Sequence, residues 1–204
     1  MNSIEKHIRK KLQQYTEISY VSQYMAPSLR GTFEHATKPK LSAVLIMLVP
    51  HNNSFDILYV QRTQNLHDKH SGQISFPGGG YSKQDSSLCD TAVRETFEEI
   101  GVLVNSNCIV GKLSEHFVPI SNYIIHPYVA ILSNAPHTFI LQTSEIERVI
   151  AVPIEFVQDT SHIRTKQVEY QNTIVTIPYY AWEQFEIWGV TAMITEEFVE
   201  CILR

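Results

Sequence analysis

Arg94-Glu95-Thr96-Phe97-Glu98-Glu99-Ile100-Gly101-Val102 is the stretch from which the rest of the chain is best read. It closes a segment, about Leu88 to Ile100, whose apolar residues recur at helical spacing, and Gly101 stands where a helix takes its terminal glycine. At about 100° per residue, Ala92, Val93, Thr96, Phe97 and Ile100 are expected on one face, with Glu95, Glu98 and Glu99 on the opposite one. Like charges at such spacing repel by a few tenths of a kcal/mol per pair. A hard divalent cation turns that repulsion into coordination. Magnesium takes oxygen ligands and keeps several waters, which suits one or two carboxylates plus a substrate phosphate. The plain alternative is a solvated acidic face. Against it stand the Gly-rich turn upstream, Arg94 four residues before Glu98, and the closing Gly101.

Upstream, Pro77 and Gly78 to Gly80 break the chain. Before them, Leu41 to Val49 is almost wholly apolar and predicts a buried strand, and Phe55 to Gln61 predicts a second one after a turn at Asn52-Asn53-Ser54. Downstream, strand-like runs occupy Ile109 to Val118, Ile124 to Leu132 and Glu145 to Val152. Arg164 to Tyr170 and Thr173 to Tyr180 flank Gln171-Asn172 as a hairpin. Ile194, Phe198 and Ile202 mark a helix over Thr191 to Leu203, and Ile4, Ile8 and Leu12 mark another over residues 3 to 15. Strands mixed with a few packed helices predict an α/β or α+β fold with a mixed sheet.

The chain has 204 residues, enough for one domain with a sizeable core, and no internal repeat or linker. Its 44% hydrophobic and 18% charged residues are ordinary for a globular protein. A formal charge of -5 argues against nucleic acid as the main partner, because phosphate backbones recruit basic surfaces. The three cysteines, Cys89, Cys108 and Cys201, form no C-x-x-C pair, which points to a reducing compartment and no thiolate zinc site. No run approaches the length of a membrane span, so no membrane partner is expected. The N-terminus is basic but lacks the apolar stretch of a secretory signal, and Glu5 and the shortage of serine count against a mitochondrial address. The chain ends Ile202-Leu203-Arg204 rather than in a peroxisomal tail, and a cytoplasmic location is expected. The oligomeric state is open, a homodimer included.

The Arg94 to Val102 segment resembles the second half of the Nudix signature, G-x5-E-x7-R-E-U-x-E-E-x-G-U with U aliphatic, departing only at Thr96. The glutamate of the first half is absent: Ser86 or Asp85 stands there, depending on the glycine counted from. The departure is informative. Arg62-Thr63, then Leu66, His70, Gly72, Gln73 and Phe76-Pro77-Gly78-Gly79, resemble the motif of the coenzyme A pyrophosphatase branch. That branch also tends to carry aspartate at the place of Asp85, with one extra residue before Arg-Glu, and a Trp-Gly-x-Thr-Ala like Trp188-Gly189-Val190-Thr191-Ala192. The likeness spans about residues 41 to 203 and treats 1 to 204 as one domain, with about 1 to 38 as a helical extension.

The resemblance implies a Nudix α/β/α sandwich, a magnesium or manganese ion, and hydrolysis of coenzyme A or an acyl derivative to 3',5'-ADP and 4'-phosphopantetheine or its acyl form. It implies Glu95 and Glu99 as metal ligands and Glu98 as a third ligand or the general base. Arg94 is expected to orient Glu98 or a neighbour, and Glu145 is a candidate for an extra carboxylate brought from a distant loop. Arg62 is a candidate phosphate partner, with His70, Gln73, Phe76, Gly78 and Gly79 as further substrate contacts. Several plainer readings stand beside these. Arg62 could form a surface salt bridge, Glu145 could be an exposed strand-start residue, and His67 and His70 could serve as hydrogen-bonding groups rather than zinc ligands. Gly78 to Gly80 more simply serve backbone geometry than a P-loop, since no Gly-Lys-Ser/Thr follows. Trp182, Phe185 and Trp188 are expected in the core, and Tyr123 and Tyr128 are weaker options for base stacking. Three rival readings stay open at this point. One is a Nudix enzyme acting on ADP-ribose or NADH, another is a non-catalytic Nudix-fold binding module, and a third is a structural or regulatory protein with an acidic helix.

Overall fold

The computed structural model describes residues 2–16, 22, 24–25, 38–64, 71–170 and 173–204. An N-terminal helix α1 (Ser3–Gln14) precedes two long strands, β1 (Lys40–His51) and β2 (Ser54–Arg62). Two short strands follow, β3 (Ile74–Ser75) and β4 (Gly78–Gly80), and then helix α2 (Leu88–Ile100). Next come β5 (Ile109–Lys112), β6 (His116–Val118), β7 (Tyr123–Ile131), β8 (Ile146–Pro153) and a short helix α3 (Ile154–Gln158). The chain closes with β9 (Ile163–Tyr170), β10 (Thr173–Trp182), β11 (Phe185–Trp188) and α4 (Gly189–Phe198), which runs on as a π-helical turn over Val199–Leu203.

The main sheet is mixed. Its central path is β3-β2-β1-β7-β5, with β4 also pairing β1, β6 pairing β7 and β8 pairing β2. β1 runs parallel to β7 and antiparallel to β2. The apolar run of β1 is explained by burial on both sides. Leu45, Met47 and Val49 pack with Ala92 and Ile100 of α2, while Ile46 and Leu48 share a core with Ile8 and Leu12 of α1 and Ile194 and Phe198 of α4. Two helical layers therefore enclose the sheet, an α/β/α arrangement with α2 on one face and α1 and α4 on the other. Each fully buried aliphatic side chain of this kind contributes about 1.5–3 kcal/mol. A separate three-stranded antiparallel sheet, β11-β10-β9, contacts α4 through β10 and β11.

Several expectations needed correction. The run from Ile109 to Val118 divides into β5 and β6, interrupted at residues 113–115. The Gly78 to Gly80 segment, expected as a break, is itself a strand paired with Ser42 to Val44 of β1. β11 had no expectation at all, because Phe185 to Trp188 is too short for a period to show. Trp182 and Phe185 pack on the core only as partly buried residues. The Gln171-Asn172 turn, His67 and His70 lie outside the described residues.

Candidate active site

Helix α2 is set by its ends. The Ser87 hydroxyl accepts from the Asp90 N–H at 3.1 Å, and Gly101, at φ 71°, donates its N–H to the Phe97 carbonyl at 2.9 Å. A side-chain cap of this kind is typically worth about 1 kcal/mol. The face assignment of the helix needs correction. Phe97 is 51% exposed, while Glu99 is 4% exposed and Thr96 fully buried. The buried stripe runs through Ala92, Thr96, Glu99 and Ile100, so one glutamate is carried inward.

What accepts that inward carboxylate is the glycine strand. Gly78 donates its N–H to Glu99 Oε2 at 3.0 Å, and Arg62 Nη1 lies 3.9 Å from Glu99 Oε1. A Cβ on Gly79 would collide with the Glu95 carboxylate, and one on Gly78 with the Ala43 carbonyl oxygen and Val44. Gly78 also sits at φ 149°, where side chains are rarely tolerated. The strand can thus approach both β1 and α2 only because it lacks side chains.

Arg94 organises the outer side of the helix. Its Nε and Nη2 donate to Asp85 Oδ1 and Oδ2 at 2.7 and 3.0 Å, a bidentate pair. Its Nη1 donates to Glu95 Oε1 at 2.8 Å and Glu98 Oε2 at 2.9 Å, and its Nη2 reaches the Gly80 carbonyl at 3.2 Å. Asp85 Oδ2 also accepts from Ser82 N at 2.9 Å and Thr91 Oγ1 at 2.8 Å. The Arg94 bonds, with help from Ser82 and Thr91, hold the Asp85 carboxyl well below the usual range although burial opposes them. Asp85 therefore supplies the contact that the Ser86 alignment would have lost.

A cavity of about 390 Å³ opens against this arrangement. Glu95, Glu99, Glu145, Arg62, Gln73, Phe76, Gly78 and Gly79 all line it, so seven of the expected site residues other than Glu145 meet the extra carboxylate there. Glu98 does not line it; its side chain is 55% exposed and turned to Arg94. Arg94 likewise stands behind the cavity wall rather than in it. Beyond the carboxylates the wall becomes apolar, with Val118 from β6, Ile125 from β7, and Val190 and Ile194 from α4. Sequence reasoning missed this wall, apart from the Trp188-to-Ala192 motif that covers Val190. Tyr123 is at the cavity, whereas Tyr128 packs on the core of the α2 face.

The electrostatics of this end suit a cation. Burial pushes the Glu99 carboxyl up to about 8, opposed by the Gly78 N–H and Arg62 and reinforced by Glu95 and Glu145. Burial raises Glu95 as well, and Glu98 and Glu145 add to that against Arg94. Glu95 and Glu99, both raised by burial, with Glu145 lining the same cavity, present oxygen donors of the kind that magnesium or manganese takes. Among the described residues, no three His, Cys, Asp or Glu side chains already stand as a closed metal cage. Arg94 keeps Glu95 and Glu98 on its own guanidinium instead.

An acid-faced helix docked on a glycine strand at the edge of a helix-covered mixed sheet defines a Nudix-type hydrolase. The chain belongs to the Nudix family: the NUDIX domain matches residues 38–169. It is accordingly an enzyme of the pyrophosphohydrolase kind. It is 28% identical over 160 residues to the Homo sapiens mitochondrial coenzyme A diphosphatase NUDT8, covering 78% of this chain and 68% of that one. It is 34% identical over 126 residues to the Caenorhabditis elegans peroxisomal coenzyme A diphosphatase ndx-8, covering 59% of this chain and 52% of that protein. The chain thus spans only about half the length of the nematode relative. The two names place those relatives in different organelles, and neither is cytoplasmic. The crystal structure of a MutT/nudix family protein from Enterococcus faecalis superposes with a TM-score of 0.57 at 17% identity, over 82% of this chain and 64% of that one, which shows the shared fold. No helix among the described residues is long and apolar enough to cross a membrane.

Proposed function

We propose that this protein hydrolyses the diphosphate of coenzyme A, or of an acyl derivative, to 3',5'-ADP and 4'-phosphopantetheine or its acyl form. The observation that carries the reading is the cavity in which Glu95, Glu99 and Glu145 meet Arg62 and the Gly78-Gly79 backbone, with an apolar arm leading away. The choice of coenzyme A over other nucleoside diphosphate derivatives is supported by the names of the two relatives and by the Leu66-to-Gly79 segment.

Glu95 and Glu99 would hold a magnesium or manganese ion, and Glu98 joins them only by releasing Arg94 Nη1. When bound, such an ion neutralises the non-bridging oxygens of the diphosphate. Arg62 faces the same end and adds a fixed positive charge, suited to a phosphate oxygen. Glu145, exposed at the rim, takes a proton from the attacking water. Gln73 and Phe76 bound the cavity beside the glycine strand, and the apolar wall receives the pantetheine arm. His70 keeps its place as a substrate contact on the motif alone.

The test is release of 3',5'-ADP from coenzyme A with magnesium present, after exhaustive chelation, and after metal is restored. Turnover should stop with excess EDTA and return with magnesium or manganese. Undiminished turnover after chelation would remove the metal from the account. Cleavage of ADP-ribose with none of coenzyme A would remove the substrate.

A further inference from the structure

One buried charge lies outside all of this machinery. Glu197 of α4 is fully buried, and its carboxylate gathers three residues from two other segments. Oε2 meets His116 Nε2 at 2.7 Å; Oε1 accepts from the Ser114 N–H at 2.7 Å and the Tyr15 hydroxyl at 2.5 Å. The Tyr15 and Ser114 hydroxyls also bond each other at 2.8 Å. Burial pushes Glu197 up, but the bonds from His116, Tyr15 and Ser114 more than offset it, leaving the carboxyl below its ordinary range and charged. A buried charge that lost these partners would be strongly destabilising, so both segments are held tightly to one helix.

The geometry ties this clasp to the cavity. Val190, Ile194 and Glu197 fall at i, i+4 and i+7, one stripe of α4. His116 and Val118 share one face of β6 by strand alternation. Val190, Ile194 and Val118 line the cavity, and the next pair along the same α4–β6 seam is Glu197 with His116. The apolar wall of the cavity and the Glu197–His116 pair therefore lie along one α4–β6 seam.

We propose that Glu197 is a positioning residue: by clasping His116 and Ser114 it fixes the separation of α4 and β6, and with it the width of the cavity arm that receives the part of the substrate remote from the diphosphate. The inference rests on the cavity being the substrate site. Glutamine in place of Glu197 keeps an acceptor for Ser114 and Tyr15 and offers an N–H to the His116 ring, so it preserves the clasp without the charge. Alanine removes it.

The experiment compares wild type, Glu197→Gln and Glu197→Ala, with His116→Asn as a second way to open the seam should the alanine variant not fold. Hydrogen exchange over residues 114–118 and 190–194 is read first, without substrate. It should quicken in both segments in Glu197→Ala or His116→Asn and stay near wild type in Glu197→Gln; unchanged exchange overturns the clasp whatever the substrate. Kinetics with coenzyme A and magnesium are read second. The opened variants should raise KM by roughly three- to tenfold, the range that coupled networks transmit, with kcat within about twofold. Glu197→Gln should stay near wild-type KM. A loss of kcat in Glu197→Gln would place the carboxylate in the chemistry, and an unchanged KM with quickened exchange would make the clasp structural only; either overturns the proposal. Failure of wild type to cleave coenzyme A would count against the substrate reading and leave the exchange result to judge the clasp.

Discussion

Replacing Asp85 by asparagine removes one charge while keeping size and shape. Asp85 Oδ1 accepts from Arg94 Nε, and Oδ2 accepts from Arg94 Nη2, Ser82 N and Thr91 Oγ1. If the asparagine oxygen takes the Oδ2 place, three of the four bonds survive in weaker, uncharged form. The amide nitrogen then faces the guanidinium. Hydrogen bonds to charged groups contribute about 1.5–3 kcal/mol, and breaking a buried pair costs about 3–5 kcal/mol. Arg94 keeps Glu95 and Glu98, so the lower end applies: about 2–3 kcal/mol, or roughly 4–12 °C in Tm for a chain of this size. The pH dependence is signed. The folded-state pKa of Asp85 lies below its unfolded value, so its stabilisation is complete above the unfolded value of about 3.9 and is lost as pH falls through and below it. Urea unfolding of wild type and variant at pH 7 and near pH 3 reads this directly, and the stability gap should narrow in acid. A gap under about 0.5 kcal/mol at pH 7, or one equally large at both pH values, would refute the role given to this pair.

Glu99→Gln should fold normally yet cut turnover by about 100-fold or more, because it removes the innermost carboxylate available to a metal ion; near-wild-type kcat would exclude Glu99 from the chemistry. Gly79→Ala should push the Glu95 carboxylate aside, costing about 1–3 kcal/mol of stability and most of the activity, as thermal melts and initial rates would show. Retained activity there would mean that the glycine strand is free to shift. Dephospho-CoA should lose about 1.5–3 kcal/mol in kcat/KM relative to coenzyme A if Arg62 reads the 3'-phosphate, and an Arg62→Ala variant should no longer distinguish the two.

The helix at the centre was legible because its signals are local. Gly101 closes it, and the spacing of Glu95, Glu98 and Glu99 needs no knowledge of the rest of the chain, whereas the Ser87 cap shows only in the structure. Which glutamate turns inward was not legible. That is decided by Gly78 and Gly79 pairing with β1, which lets backbone approach Glu99 on the buried side of α2. The cavity wall was hidden for a similar reason: Val118, Ile125 and Ile194 read as ordinary core residues until β6, β7 and α4 are brought together. The buried Glu197 carries no local mark, since its partners lie 81 and 182 residues away in His116 and Tyr15.

The function proposed is metal-dependent cleavage of the coenzyme A diphosphate at the Glu95–Glu99 end of the cavity. Its most direct test is a competition in which coenzyme A, ADP-ribose and NADH are present at equal concentration with magnesium, and the products are identified by mass spectrometry. 3',5'-ADP and 4'-phosphopantetheine should dominate, and neither should form in excess EDTA. Preferential cleavage of ADP-ribose or NADH, or products that form equally well without a divalent cation, would contradict it.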